Sequence, residues 1–175
     1  GHATGAWQVI PSSPRTGGSR FSASMRNWIY IAALSLLVLQ GCASKPHSSN
    51  NPELRYKLVK TAKAQLGTTY HYGGSSPSQG FDCSGLVYYS HKKVGVKVPR
   101  DTRGQISQMK DIRKSRLQPG DLLFYNIKGN PRHVGIYIGN KQFIHAPSAG
   151  KRVKIENMNS DYWRKRLYAT GSFIE

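Results

Sequence analysis

Acidic residues are scarce in this chain of 175 residues, which has 8 Asp and Glu against 26 Lys and Arg and a formal net charge of +18. A strongly basic domain suggests an anionic partner, such as nucleic acid, a membrane surface or a cell-wall polymer. The basic residues are scattered, however, and no nucleic-acid-binding motif accompanies them. We therefore expect no nucleic-acid partner, and the charge alone leaves the other two kinds of partner open.

Cysteine is also scarce, since the chain contains only Cys42 and Cys83. Two cysteines can form one disulfide at most. The chain lacks the paired, closely spaced ligands of a structural zinc site, so we expect no metal. It has no internal repeat, and its length suits one domain with a hydrophobic core plus additional segments.

The apolar run from Trp28 to Leu39 is too short for a comfortable transmembrane helix but has the length of a secretory signal's apolar region. It ends at Leu39-Gln40-Gly41-Cys42, which resembles the lipobox of bacterial lipoproteins. The resemblance implies cleavage before Cys42 and lipidation of Cys42, which then cannot pair with Cys83. Because Ala43 follows, it also implies a lipid anchor on the periplasmic face of the outer membrane. An ordinary signal peptide or a membrane anchor is the alternative.

These features divide the chain into four segments. Residues 1–24 are rich in Gly, Ser, Pro and Thr and are predicted to be a disordered extension. Residues 25–41 are the predicted signal peptide, 42–52 a lipid-anchored tether, and 53–175 the folded domain.

The folded domain is predicted to place helices before strands. Leu54, Leu58, Ala62 and Leu66 recur every four residues, which indicates an amphipathic helix that ends at Gly67. A second helix is predicted at 83–92, and a third follows a cap at Asp101 or Thr102. Strands are predicted at 122–125, 134–138, 142–145, 153–155 and 167–173. This order indicates an α+β domain with N-terminal helices on an antiparallel sheet.

Cys83 lies where a glycine-rich polar run, residues 72–80, passes into the second helix. Backbone N–H groups at a helix start are unpaired and carry partial positive charge, which lowers the pKa of a thiol placed there. The position therefore predicts a nucleophilic cysteine. A small buried hydrophobic residue is the alternative.

A cysteine nucleophile needs a base, usually a histidine, and a third group that orients the base. His133 and His145 lie at the edges of two consecutive predicted strands, whereas the remaining histidines of the domain lie in a loop or a helix. A hairpin that joins the two strands brings these imidazoles together. They share a face only if the loop has an odd number of residues, such as 139–141, or an equivalent bulge.

Several linked motifs resemble those of the NlpC-type cell-wall cysteine peptidases, which have a papain-like fold, over residues 53–175. They are, in order, Tyr70-His71-Tyr72-Gly73-Gly74, Phe81-Asp82-Cys83-Ser84-Gly85, Pro99-Arg100, Gln118-Pro119-Gly120-Asp121-Leu122, His133-Val134-Gly135-Ile136-Tyr137 and Phe143-Ile144-His145-Ala146. The resemblance implies Cys83 as nucleophile, His133 as general base and His145 as the residue that orients it. It also implies Tyr70 near the oxyanion site and the hydrolysis of stem peptides or crosslinks of peptidoglycan, by a monomer that needs no cofactor.

Other interpretations of these residues stay open. Asp82 and Ser84 either shape the substrate site or cap the helix. Cys83, His133 and His145 could bind zinc, and His145 could be a hydrogen-bonded core residue. At the level of function, the alternatives are a thiol amidase or acyltransferase with a non-wall substrate, and a non-catalytic wall-binding lipoprotein.

Overall fold

The computed structural model describes residues 51–174. The predicted extension at 1–24, the signal peptide at 25–41 and nearly all of the tether, including Cys42, lie outside the described residues. None of the helices within residues 51–174 has the length and apolar character needed to cross a membrane.

Four α-helices occur in this part of the chain: α1 (Pro52–Lys63), α2 (Cys83–Lys93), α3 (Thr102–Gln108) and α4 (Asp161–Arg164). The first three begin at side-chain caps, because Asn51, Asp82 and Asp101 each accept a hydrogen bond from a backbone N–H three residues on. The predicted first helix is therefore present but shorter than expected. It ends at Lys63, so Leu66 lies beyond it and is 44% exposed rather than part of the core.

Within residues 51–174, eight strands form two antiparallel sheets. A small hairpin contains β1 (Ser75–Ser76) and β2 (Gly80–Phe81), in the loop before Cys83. The main sheet contains β3 (Lys110–Asp111), β4 (Leu122–Ile127), β5 (Asn130–Gly139), β6 (Gln142–His145), β7 (Lys154–Asn157) and β8 (Leu167–Ser172). Its order is β3-β8-β4-β5-β6-β7, which confirms the predicted α+β class. The two-residue strands and α4 were too short for any periodic pattern to predict.

The two faces of the main sheet carry separate clusters of buried side chains. On one face Leu122, Phe124 and Ile136 pack with residues of α1 and α2, such as Leu58 and Leu86. On the other face a smaller cluster contains Leu123, Tyr125, Phe143, Met158 and Trp163. Alternate residues of a strand point to opposite faces, which explains how neighbours on β4 enter different clusters. His133 and His145 lie beside the second cluster.

A buried ion pair fastens α1 to the turn before β4. Arg55 Nη1 lies 2.6 Å from Asp121 Oδ1, and both side chains are buried. Arg55 also donates to the backbone carbonyls of Pro119 and Ile174, while the other carboxylate oxygen of Asp121 accepts the N–H of Gln118. The four-residue periodicity of this helix gave no sign that Arg55 is buried, because it reveals nothing of a partner 66 residues away.

The β5–β6 hairpin contains the β-bulge that His133 and His145 need in order to share a face of the sheet. Ile136 pairs with Ile144 and Tyr137 with Phe143, but Gly139 pairs with Gln142, so one residue is extra on β5. The loop is then Asn140 and Lys141, with φ of 51° and 61°, the positive values of a type I′ turn. The bulge that was predicted as the equivalent of an odd loop is therefore confirmed. The three-residue loop 139–141, in which Ile138 would pair with Gln142, is wrong.

Candidate active site

Cys83 is the first residue of α2 and is a free thiol. The loop before it is held tightly against the helix, because Asp82 N donates to the carbonyl of Gly74. A Cβ on Gly85 would collide with this carbonyl and approach Asp82 Oδ1. Only glycine fits there, which explains why the residues after the cysteine are small.

Asp82 and Ser84, which flank the cysteine, form a clamp with Arg100. Arg100 Nη1 and Nη2 donate to Asp82 Oδ1 and Oδ2 at 2.9 and 3.0 Å, and Nη1 also donates to Ser84 Oγ at 3.1 Å. Asp82 accepts the N–H of Gly85 at 2.6 Å as well, so its capping role is present in the structure. Bidentate charge-assisted hydrogen bonds fix the start of α2, and with it the Cys83 thiol. Sequence reasoning included Arg100 in a motif but assigned it no role.

The thiol of Cys83 lies beside β5, an inner strand of the main sheet, against the backbone on both sides of His133. Its Sγ donates to the carbonyl of Arg132 at 3.7 Å, and the backbone N–H of Val134 is directed at the sulfur. Thr102 Oγ1 lies 4.0 Å away. Strand β6 ends at His145, so the start of α2 occupies the position beside β5 that a longer β6 would take.

Burial raises the pKa of the Cys83 thiol above its ordinary value of 9.0, and the Asp82 carboxylate adds to the rise. Hydrogen bonds from the Val134 and Ser84 backbone and from Thr102 act in the opposite direction but are outweighed. The predicted lowering of this pKa by the helix start is therefore wrong for the resting protein. The sequence showed that the thiol lies at the start of a helix, but it did not show how deeply strand β5 buries the thiol.

His133 and His145 share a face, as the register predicted, and are directly hydrogen-bonded. His133 Nε2 lies 2.7 Å from His145 Nδ1, and the two rings are nearly perpendicular. The ring of Phe143 fills the space beside Gly135, where a Cβ would collide with it. With Nε2 engaged, the nitrogen of His133 that remains for the thiol is Nδ1.

Both imidazoles are neutral at neutral pH. Burial lowers the pKa of His133 to about 4. Burial, together with electrostatic repulsion from His133 and Lys154, lowers the pKa of His145 to about 2. Within residues 51–174 no group of three or more Cys, His, Asp or Glu side chains is placed to hold a metal ion.

A cage of aromatic side chains surrounds the histidine pair. Trp163 is stacked on His133 with ring centroids 5.5 Å apart and an interplanar angle of 23°, and it meets His145 at 5.1 Å and 87°. Phe143 lies 5.0 Å from His145, and Tyr125 lies 6.4 Å from His133. The sequence alone did not single out Trp163 as a contact of the histidines. Its place in a four-residue helix after β7 gave no signal of contact with the histidines.

An open cleft of about 420 Å³ leads to Cys83. Tyr70, Tyr72, Arg132 and the Asp82–Arg100 clamp line it. Burial, followed by the nearby charges of Cys83 and Asp82, raises the pKa of Tyr70, so its phenol stays protonated and able to donate. A larger cavity of about 590 Å³ lies between Lys114, Lys141 and Asn159, and it includes neither the thiol nor the histidines.

The NlpC/P60 family matches residues 67–172. Murein DD-endopeptidase MepH of Escherichia coli K12 is 43% identical over 131 residues, which cover 71% of this chain and 48% of that protein. Probable peptidoglycan endopeptidase LytE of Bacillus subtilis is 43% identical over 118 residues, 67% of this chain and 34% of that protein. The chain thus spans less than half of these relatives. A crystal structure of an NlpC/P60 family protein from Bacillus cereus superposes with a TM-score of 0.66 at 33% identity, covering 69% of this chain and 40% of that one.

Proposed function

This chain belongs to the NlpC/P60 family, and we propose that it is a cysteine endopeptidase that hydrolyses peptide bonds in the stem peptides or crosslinks of bacterial peptidoglycan. The observation that carries the proposal is one arrangement: a free thiol at a helix start, against the strand of a neutral histidine whose far nitrogen is bound by a second histidine. Nucleophile, base and orienting group are the three parts that acyl transfer by a thiol needs. The names of the relatives supply the substrate class.

The neutral resting state defines the first step. The thiol donates to the Arg132 carbonyl at rest, so rotation about its Cα–Cβ bond must redirect the proton to His133 Nδ1. A neutral imidazole accepts there only if its own proton is on Nε2, where it donates to His145 Nδ1. His145 therefore selects the tautomer of His133 that can act as a base. The proton leaves sulfur as the sulfur attacks the amide carbonyl carbon.

The attack gives a tetrahedral intermediate whose oxygen becomes negatively charged. We assign its stabilisation to the backbone N–H of Cys83, one of the unpaired donors of the α2 start, and to the hydroxyl of Tyr70 across the cleft. The imidazolium of His133 then protonates the leaving amine, and the C–N bond breaks. Water, deprotonated by His133, attacks the thioester, and the acid is released with the thiol restored.

The remaining parts of the proposal rest on the sequence. The mature chain begins at Cys42, carries lipid there and faces the periplasm from the outer membrane as a monomer. The supporting feature is the lipobox-like Leu39-Gln40-Gly41-Cys42 after the apolar run. Stable anchoring needs more than one acyl chain, so the intact mass of protein from native membranes should show multiple acylation. An unmodified chain that still contains residues 25–41 would refute this part alone.

Digestion of purified peptidoglycan tests the activity. Wild-type protein and Cys83→Ala are incubated with intact sacculi, and the released fragments are identified by mass spectrometry. Loss of crosslinked dimers would assign the D-Ala–diaminopimelate crosslink, whereas disaccharide dipeptides would assign the bond between D-Glu and diaminopimelate. Release by Cys83→Ala at the wild-type rate, or no release by folded wild-type protein, would contradict the proposal and favour a wall-binding role.

A further inference from the structure

Trp163 lies flat against the imidazole of His133. Among the rings that surround this histidine in residues 51–174, it alone combines a centroid distance below 6 Å with a small interplanar angle, 5.5 Å and 23°. Tyr125 is further away at 6.4 Å, and His145 is perpendicular. Trp163 is itself buried, with 8% of its surface exposed, so the indole face meets the imidazole where little water competes.

We propose that Trp163 is a positioning residue that holds the plane of His133 and stabilises its imidazolium form through the indole face. The inference rests on the proposed function, because the imidazolium forms when His133 takes the thiol proton. A cation within about 6 Å of an indole face is attracted by the negative face of the ring system, and the attraction grows when water is excluded. The stacking therefore favours the charged form that the reaction creates.

The need for such a group follows from the surroundings of His133. The imidazole is buried, with 7% of its surface exposed, and its hydrogen-bond partner His145 is neutral. No carboxylate among residues 51–174 pairs with either ring. A positive charge on His133 would thus meet a neutral acceptor on one side and the indole on its flat face. Without the indole, burial alone would oppose proton transfer from the thiol.

Packing is the competing explanation, because Trp163 also fills the cluster with Tyr125 and Phe143. A residue that only packs would affect folding and the position of the thiol as much as it affects turnover. A residue that stabilises the imidazolium affects the steps in which His133 carries the proton. Hydrolysis at neutral pH includes those steps. Alkylation of Cys83 at about pH 10 does not, because solvent hydroxide then ionises the thiol.

Three variants separate the two explanations: Trp163→Leu, which removes the aromatic face, Trp163→Phe, which keeps a smaller one, and Met158→Ala, which removes buried volume from the same cluster without removing a ring. We expect kcat to fall about tenfold in Trp163→Leu and about threefold in Trp163→Phe, with KM unchanged. Met158→Ala should keep kcat within about twofold although it unfolds at a lower temperature. Alkylation at about pH 10, followed on the peptide that contains Cys83, should stay within about twofold in all three folded variants.

A second readout needs no substrate and so separates this inference from the proposed activity. The ionisable groups that face His133 are His145 on β6, Cys83 on α2 and Tyr125 on β4, and the variants retain all three. In an NMR titration, the His133 imidazole should protonate at a lower pH in Trp163→Leu than in the wild type. An unchanged or higher midpoint, a parallel fall of alkylation and kcat, or an equal loss in Met158→Ala would each overturn the inference.

Discussion

The thiol of Cys83 should be protonated at neutral pH, which distinguishes this site from one that stores a thiolate–imidazolium pair. Its Sγ acts as a donor to the Arg132 carbonyl, and burial raises its pKa above 9.0. The neighbouring base is neutral, since burial lowers the pKa of His133 to about 4. A thiol at the ordinary value of 9.0 is only about 1% ionised at pH 7, so a raised pKa leaves Cys83 almost entirely protonated.

The ultraviolet absorbance of the thiolate measures this directly. The titration of Cys83→Ser is subtracted from that of the wild type, so that Cys42 and the tyrosines, which the two proteins share, cancel. We expect the difference absorbance to rise only above about pH 9. The rate of alkylation by iodoacetamide should rise about tenfold per pH unit between about pH 6 and 9, because only the thiolate reacts.

A difference absorbance already present at pH 7, with a midpoint below about 7, would refute the reasoning. It would mean that the partial charge at the start of α2 and the Val134 N–H outweigh burial. His133 would then be protonated at rest, and the coupled pair would titrate in two macroscopic steps. The tautomer argument for His145 would fail with it, because a protonated His133 donates from both nitrogens.

Three further predictions follow from the same contacts. Cys83→Ala should abolish hydrolysis with little change in the unfolding temperature, and Cys83→Ser should be nearly as inactive; a variant with wild-type turnover would exclude a thiol mechanism. His145→Ala leaves the His133 N–H without an acceptor and should lower kcat about 10- to 100-fold, with partial recovery in His145→Gln, as steady-state kinetics would show. Burial lowers the pKa of His91 from 6.5 to about 4, so the unfolded state binds more protons below pH 6.5 and stability is lost as the pH falls towards 4. His133 and His145 add losses of the same sign, so denaturant titrations should show a loss between pH 7 and about 4.5 that is smaller by about 2 kcal/mol in His91→Leu; an equal loss in wild type and variant would place the acid sensitivity elsewhere.

Local pattern was enough for the elements that carry Cys83 and His133. The glycine-rich run before Cys83 predicted a loop that enters a helix, and α2 begins at that residue. The alternation rule predicted an odd register between β5 and β6, because only that register puts His133 and His145 on one face. Both arguments use residues close together in sequence, where the chain's geometry leaves few alternatives.

The parts that sequence reasoning missed depend on contacts between distant segments. Arg100 reaches Asp82 across 18 residues, and Arg55 reaches Asp121 across 66. Trp163 comes to His133 from a helix of four residues, too short for a periodic signal. The pKa of Cys83 was predicted with the wrong sign for the same reason. The electrostatic field at a helix start depends on residues that are adjacent in sequence. The burial of the Cys83 thiol depends on strand β5, which only folding brings against it.

The bulge on β5 connects the hairpin turn to the chemistry. Without the extra residue, the positive-φ loop of Asn140 and Lys141 would pair Ile138 with Phe143, the neighbour of Gln142. The side chain of His145 would then point to the face of the sheet that packs on the helices, and not to the face that carries His133. His133 would then keep its place opposite Tyr125 on β4 but lose its hydrogen-bond partner. The extra residue Ile138, which lies about 17 Å from His133 along β5 by strand geometry, therefore determines whether the two histidines share a face.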